Sequence, residues 1–228
     1  MEIDPLLTLD SIFKGLIIGM VASAPMGPVG VLIIQRTMNK GRWYGFITGV
    51  GAALSDLIYA LLTGFGMSFI SFIVDDPSPT KKMILQLGGS ILLFVFGLYT
   101  YKTKPQTDLP HKSGNNKGSY FQNGLTGLLL TLVNPLIIFL FLALFARFSF
   151  VIPVEENGLH HPVEQMMGYF SIIAGALGWW LGITYFINKV RVKFDVNRIW
   201  LLNHIIGIIV MVVSLMSLFF TITGRTLY

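Results

Sequence analysis

The sequence contains no cysteine, which excludes thiol redox chemistry, disulfides and thiolate metal sites. Charge is nearly as scarce. Only 12% of the 228 residues are Asp, Glu, Lys or Arg, about half of the ~25% found in soluble globular chains. Too little polar surface remains to wrap a water-soluble fold, so an ordinary soluble enzyme is not expected. The four histidines include no pair at i, i+4 spacing within an apolar segment, so a dedicated metal site has little support. A Walker A pattern is missing, which argues against ATP-driven transport by this chain alone. No nucleophile, base and metal-ligand set converges, so the chain is read as no enzyme and no cofactor is expected.

What the sequence does have is apolar length. Hydrophobic residues make up 54% of it, which also rules out disorder, because such a chain cannot stay solvated. Continuous apolar segments lie at about 12–35, 44–73, 83–101, 122–149, 165–188 and 199–222. Each reaches the roughly 20 residues that carry a helix across about 30 Å of hydrocarbon. They lack the period-two alternation of barrel strands. The expected fold is therefore all-α, a polytopic membrane protein of six transmembrane helices in the lipid bilayer. The first residues carry Glu2, Asp4 and Asp10 and no basic residue before Lys14. This is the reverse of a signal peptide's basic start, so the first segment is expected to stay in the mature protein.

A net charge of +5 would suggest nucleic acid in a soluble protein. In a membrane protein the placement of charge matters more than its sum, and nucleic acid is not an expected partner. Most of the 16 Lys and Arg residues fall in three linkers, 36–43, 102–121 and 189–198, whereas most acids lie on the opposite side. The positive-inside rule makes those three linkers cytoplasmic and puts both termini outside. The polar linker 102–121 divides one transmembrane domain, 1–228, into a first repeat, 1–101, and a second, 122–228. Three spans per half force the second half to enter from the opposite face, so similarity between the halves would make an inverted repeat.

Three features carry possible chemistry. In the first span, Pro25-Met26-Gly27-Pro28 is followed by Val29-Gly30. Two prolines three residues apart remove two backbone donors and clash with carbonyls a turn earlier. Bare carbonyls in hydrocarbon cost several kcal/mol each, so such a break is tolerated only where protein or water satisfies it. The readings are a discontinuous helix lining a midplane cavity, or a plain kink. In the fourth span, Asn134-Pro135 interrupts the second half at a matching depth, and paired interruptions point to a transporter's binding site. Asn134 offers both a donor and an acceptor, either to a substrate or to the backbone opened by Pro135.

The third feature is Asp56, the one acid well inside an apolar segment. A carboxylate at mid-membrane costs about 2.5–3.5 kcal/mol on insertion scales. A wet cavity, a cationic partner or protonation each offsets that cost, and all three suit a site exchanging protons for an amino-bearing substrate. A structural acid bonded to neighbouring helices is the alternative. Tyr59 stands at i+3 and shares its helix face, with Ser55 adjacent. Gly41, Gly45 and Gly49 are expected to form one smooth face for close helix packing. Trp179 and Trp180 either wall a pocket or belong to an interfacial belt. His204 is placed near a headgroup, and Asn188 and Tyr185 are weaker candidates.

Pro25-Met26-Gly27-Pro28, the basic turn Arg36 to Arg42, the glycines 45, 49, 51, 64 and 66, Asp56 with Tyr59, and Asn134-Pro135 together resemble the LysE/RhtB family of bacterial amino-acid exporters. The match is strong over the first two spans, moderate at the start of the second half, and topological elsewhere. The resemblance implies a secondary transporter in the bacterial cytoplasmic membrane. It would export an amino acid or related small metabolite, driven by the proton or ion gradient. Leu136 stands where the second-half motif often continues with Lys, and lysine itself is not implied as the substrate.

On this reading Pro25, Gly27, Pro28, Asn134 and Pro135 mark half-helix ends that present backbone groups to the substrate. Asp56 binds its amine or carries a proton, with Tyr59 beside it. A homodimer is left open. Two alternatives stand beside it: a divalent-metal exporter of the same superfamily, with Asp56 and Asn134 as oxygen ligands, and a non-transporting membrane scaffold. One intramembrane acid is few for a dication that prefers several oxygens. The scaffold leaves the paired breaks and the buried acid without purpose.

Overall fold

Proline and glycine punctuate this chain where its helices start and stop. A computed structural model describes residues 5–25, 27–73, 79–102, 118–134, 136–150, 162–190 and 199–223. Within them the elements are α1 (Pro5–Ser23), α2 (Pro28–Lys40), α3 (Arg42–Ile73), α4 (Pro79–Lys102), α5 (Tyr120–Leu132), α6 (Leu136–Phe148), α7 (Pro162–Val190) and α8 (Ile199–Ile222). Pro5, Pro28, Pro79 and Pro162 each open a helix, where a fixed φ is already helical and the missing N–H is no loss. α5 opens on a capping box. The Ser119 hydroxyl accepts from Phe121 N at 3.3 Å, and Gln122 Oε1 accepts from Ser119 N at 3.2 Å.

All six apolar segments are helical, and two of them are interrupted. The first starts earlier than expected, at Pro5 and not near residue 12, so the break follows a full 19-residue helix instead of falling mid-segment. Its acidic start joins the helix because Asp10 pairs with Lys14 one turn on, at 2.6 Å. The fourth segment splits into α5 and α6, which are bent by 74° to one another. Among the described residues, four helices are long and apolar enough to cross a membrane, or five if the bent pair α5–α6 counts as one span.

The expected linker 36–43 is almost absent. α2 runs to Lys40 and α3 starts at Arg42, with Gly41 alone between them. Gly41 has φ of 107°, a backbone state that favours glycine, and its N–H bonds the Arg36 carbonyl at 3.2 Å. It is therefore a turn residue and leaves the expected glycine face. The remaining two do not share a partner either. Gly45 meets Thr37 and Ile33 of α2, whereas Gly49 meets the Trp180 side chain of α7. Most of the other two basic linkers, 103–117 and 191–198, lies outside the described residues, as do Met26, Pro135, His111, His160 and His161.

Helices pack where small residues let backbones approach. α1 runs along α7 with Gly15 against the Gly168 carbonyl, and α5 lies along α3 with Gly127 against the Thr48 carbonyl. α4 pairs with α8 through Gly97 and Gly207, and through a Ser90–Ser217 hydroxyl bond of 2.7 Å. α3 sits among α1, α2, α5, α6 and α7. Apolar side chains face outward along α8, including Ile205, Ile209, Val213 and Phe219, while Ser, Thr and Asn residues are buried. That reversal of the aqueous pattern suits a lipid solvent, and so large an apolar surface marks a membrane contact. Gly127→Leu should drive α5 off α3 and cost about 3 kcal/mol or more. The expected result is loss of monodisperse protein in detergent.

Candidate functional site

The interior is organised by α3, which holds the broken ends of both interrupted segments. At the end of α1, Ser23 donates its hydroxyl to Asp56 Oδ2 at 3.1 Å. On α5, Ser55 donates to Leu128 O at 2.7 Å, and Tyr59 donates at 2.6 Å to Leu132 O, one of the last carbonyls, which have no helical partner. Ser55 and Tyr59 are one turn apart and share a face; Asp56 is rotated round the helix from them. A single helix thus fixes two breaks that lie far apart in sequence.

The break at Ala24–Gly27 has a local cause. The residue before a proline avoids helical geometry, so Pro25 ends α1 and Pro28 begins α2. Gly27 precedes α2 in an extended conformation and supplies no side-chain cap. The first N–H groups of α2 are therefore left to other partners. The second break is capped differently: Asn134 Oδ1 accepts from Leu136 N at 3.2 Å. Asn134 does the local backbone work that was one of its two readings. Its amide nitrogen has no partner among the described residues.

Between the breaks lies a cavity of about 100 Å³. Pro25, Gly27, Pro28, Val29 and Gly30 line it from the first break, Asn134, Leu136 and Ile137 from the second, and Asp56 from α3. Tyr59 does not line it. Its bond to Leu132 O, with a longer contact to Asn134 O at 3.4 Å, makes it a brace for the end of α5. Asp56 is 4% exposed, and among the described residues no cation reaches it; Ser23 is its side-chain partner. No group of three or more His, Asp or Glu residues able to hold a metal occurs among the described residues.

Several lining residues were not selected from the sequence. Ser23, Phe96, Thr100, Thr131 and Asn203 each face the cavity, and Phe96, Thr100 and Asn203 are single residues in apolar helices with no motif around them. Ser23 and Thr131 had a signal, each standing just before the proline-marked break of its segment. Trp180 lines the cavity and is 3% exposed, which decides between its two readings. Tyr185 instead stacks against Arg42, whose guanidinium lies 5.1 Å from its ring, and Asn188 is not on the cavity. His204 packs between Trp200 and Tyr101 at the end of the α4–α8 pair.

Tyr59→Phe removes a buried donor and leaves the Leu132 carbonyl short of a partner. A loss of about 1–3 kcal/mol in thermal stability is expected, with the choice of transported solute unchanged. A shift in solute preference would make Tyr59 part of the site.

An all-helical bundle with an apolar outer belt and an inner cavity between two helix breaks defines a multi-pass membrane protein. The model of the LysE type translocators matches residues 20–219, and the chain belongs to that family of membrane exporters. It is 30% identical over 165 residues, 72% of this chain and 74% of the relative, to the "Putative amino acid efflux protein YcgF" of Bacillus subtilis (strain 168). It is 20% identical over 195 residues, 85% of this chain and 82% of the relative, to the "Uncharacterized membrane protein YahN" of Escherichia coli (strain K12). No solved structure matches the chain.

Proposed function

We propose that this chain is a secondary transporter that exports an amino acid or a related small metabolite across the cytoplasmic membrane, coupled to the proton gradient. One observation carries the reading: the two helix breaks and the buried carboxyl of Asp56 share a cavity. α2 and α6 both begin at that cavity, with Val29, Gly30, Leu136 and Ile137 on its wall. A helix start carries partial positive charge and free N–H groups, and so favours an anion. Asp56 supplies the opposite charge. The pair complements a zwitterion, with the carboxylate at the helix starts and the ammonium at Asp56. When the substrate leaves, a proton replaces the ammonium on Asp56, which links the two flows. The name of the Bacillus subtilis relative agrees with this substrate class.

The proposed architecture is six spans in two inverted repeats, with α1–α2, α3 and α4 related to α5–α6, α7 and α8, and both termini outside. Exchanging the repeats turns the α1–α7 contact into α5–α3, turns α2–α7 into α6–α3, and returns α3–α7 and α4–α8 to themselves; these contacts support the relation, whereas α2–α3 and α4–α6 have no comparable counterparts. Alternating access then follows from rocking one repeat on the other about the cavity.

In liposomes loaded with labelled amino acids, an imposed pH gradient should accelerate efflux and a protonophore should remove the acceleration. Efflux indifferent to the gradient would remove the coupling, and absence of any amino-acid flux would remove the substrate class.

A further inference from the structure

The walls of the cavity other than the two breaks are made by helices α3, α4, α6, α7 and α8. Phe96 and Thr100 come from α4, Leu140 from α6, Trp180 from α7 and Asn203 from α8. Every one of these side chains is uncharged. Among the described residues lining the cavity, Asp56 is the single Asp, Glu, Lys, Arg or His. If its charge is matched by a substrate's ammonium and the helix starts match the carboxylate, a third charge on the substrate would be buried without a partner. An unpaired buried charge is strongly disfavoured.

Trp180 adds a rigid, uncharged wall. It lines the cavity and is 3% exposed, and its indole N–H has no accessible surface through which to meet a solute. Gly49 of α3 packs directly on the Trp180 side chain, with its missing Cβ position 2.7 Å from Cβ and Cγ of the tryptophan. The indole is therefore held in place by a position where any side chain would displace it. Asn134, whose amide nitrogen has no partner among the described residues, offers a donor on the same wall as the start of α6.

From these groups we infer that the transported solute is a small amino acid with an uncharged side chain. The inference rests on the amino-acid reading above and narrows it. The volume agrees. A cavity of about 100 Å³ has room for several waters, at roughly 10–15 Å³ of the same measure for each. That is the scale of one small amino acid rather than a peptide.

The test uses the full chain reconstituted in liposomes, with labelled serine, leucine, lysine and glutamate as probes. Serine or leucine should exchange at least roughly 100-fold faster than lysine or glutamate, the expected effect of an unpaired buried charge. Lysine or glutamate moving within about tenfold of serine or leucine would overturn the inference and leave the exporter reading intact. No flux of any of the four would overturn both. Binding gives a second readout on the same protein: serine or leucine should raise its melting temperature and lysine should not, because only a bound solute shifts the folded state. Equal stabilisation by lysine would overturn the inference.

Discussion

Asp56→Asn should reduce amino-acid export to about 1% of wild type or less while leaving the protein folded. Asparagine has the same shape as aspartate, and its amide oxygen can still accept from the Ser23 hydroxyl, so the α1–α3 bond of 3.1 Å survives the change. Packing is untouched, because the site is buried and the volume is conserved. What disappears is the negative charge and the titrating proton. Losing the partner of a buried ammonium costs about 2–5 kcal/mol, enough for a hundredfold fall. Export of labelled amino acids from loaded cells, compared at equal membrane levels of the two proteins, measures this directly. If Asp56 were only a structural acid holding α1, the variant would keep its transport, and Ser23→Ala would do the greater harm. Retained, pH-dependent export by Asp56→Asn would refute the proposed role.

Much of this arrangement is written in local sequence. Pro25 and Pro28 stop and restart a helix whatever surrounds them, Pro135 follows a residue that caps the next helix, and Asp56 is conspicuous because acids are rare in apolar segments. The limits of the helices were less legible. The acidic start of α1 reads as a polar lead, yet Pro5 and the Asp10–Lys14 pair make it helical. Gly41, spaced with Gly45 and Gly49 as if on one face, is instead the sole residue between α2 and α3. The cavity wall was the least legible part. Thr100 and Asn203 lie on α4 and α8, which meet along Gly97 and Gly207. No pattern within either helix says that those two faces meet. The choice between the two readings of Trp180 is made only when Gly49, more than a hundred residues away, is known to lie under it. Pairings of this kind are made by the packing of helices, not by the periodicity of any one of them.

Arg36 was counted as one of the basic residues that mark a cytoplasmic linker, and the structure gives it a further task. It lies in the last turns of α2, partly buried, where its Nη1 donates to Thr48 Oγ1 of α3 at 2.8 Å and to the Asn123 carbonyl of α5 at 3.0 Å. The Thr48 hydroxyl donates to the Tyr44 carbonyl at 2.9 Å, so its oxygen is free to accept. One guanidinium nitrogen therefore ties α2 to α5, the first helix of the proposed second repeat. If the repeats rock during transport, this contact between them must break and re-form. Arg36→Met keeps the length of the side chain and its apolar stem but deletes both bonds, each worth about 1.5–3 kcal/mol when the donor is charged. The expected outcome is a folded protein with transport lowered about tenfold or more. The cysteine-free sequence allows a clean readout of the cause. A lone cysteine placed at Val29, on the cavity wall, should react faster with a membrane-impermeant thiol reagent in the Arg36→Met background, because the state in which α2 docks on α5 is no longer favoured. An unchanged labelling rate with lowered transport would mean that Arg36 acts on the solute's path and not on the balance between conformations.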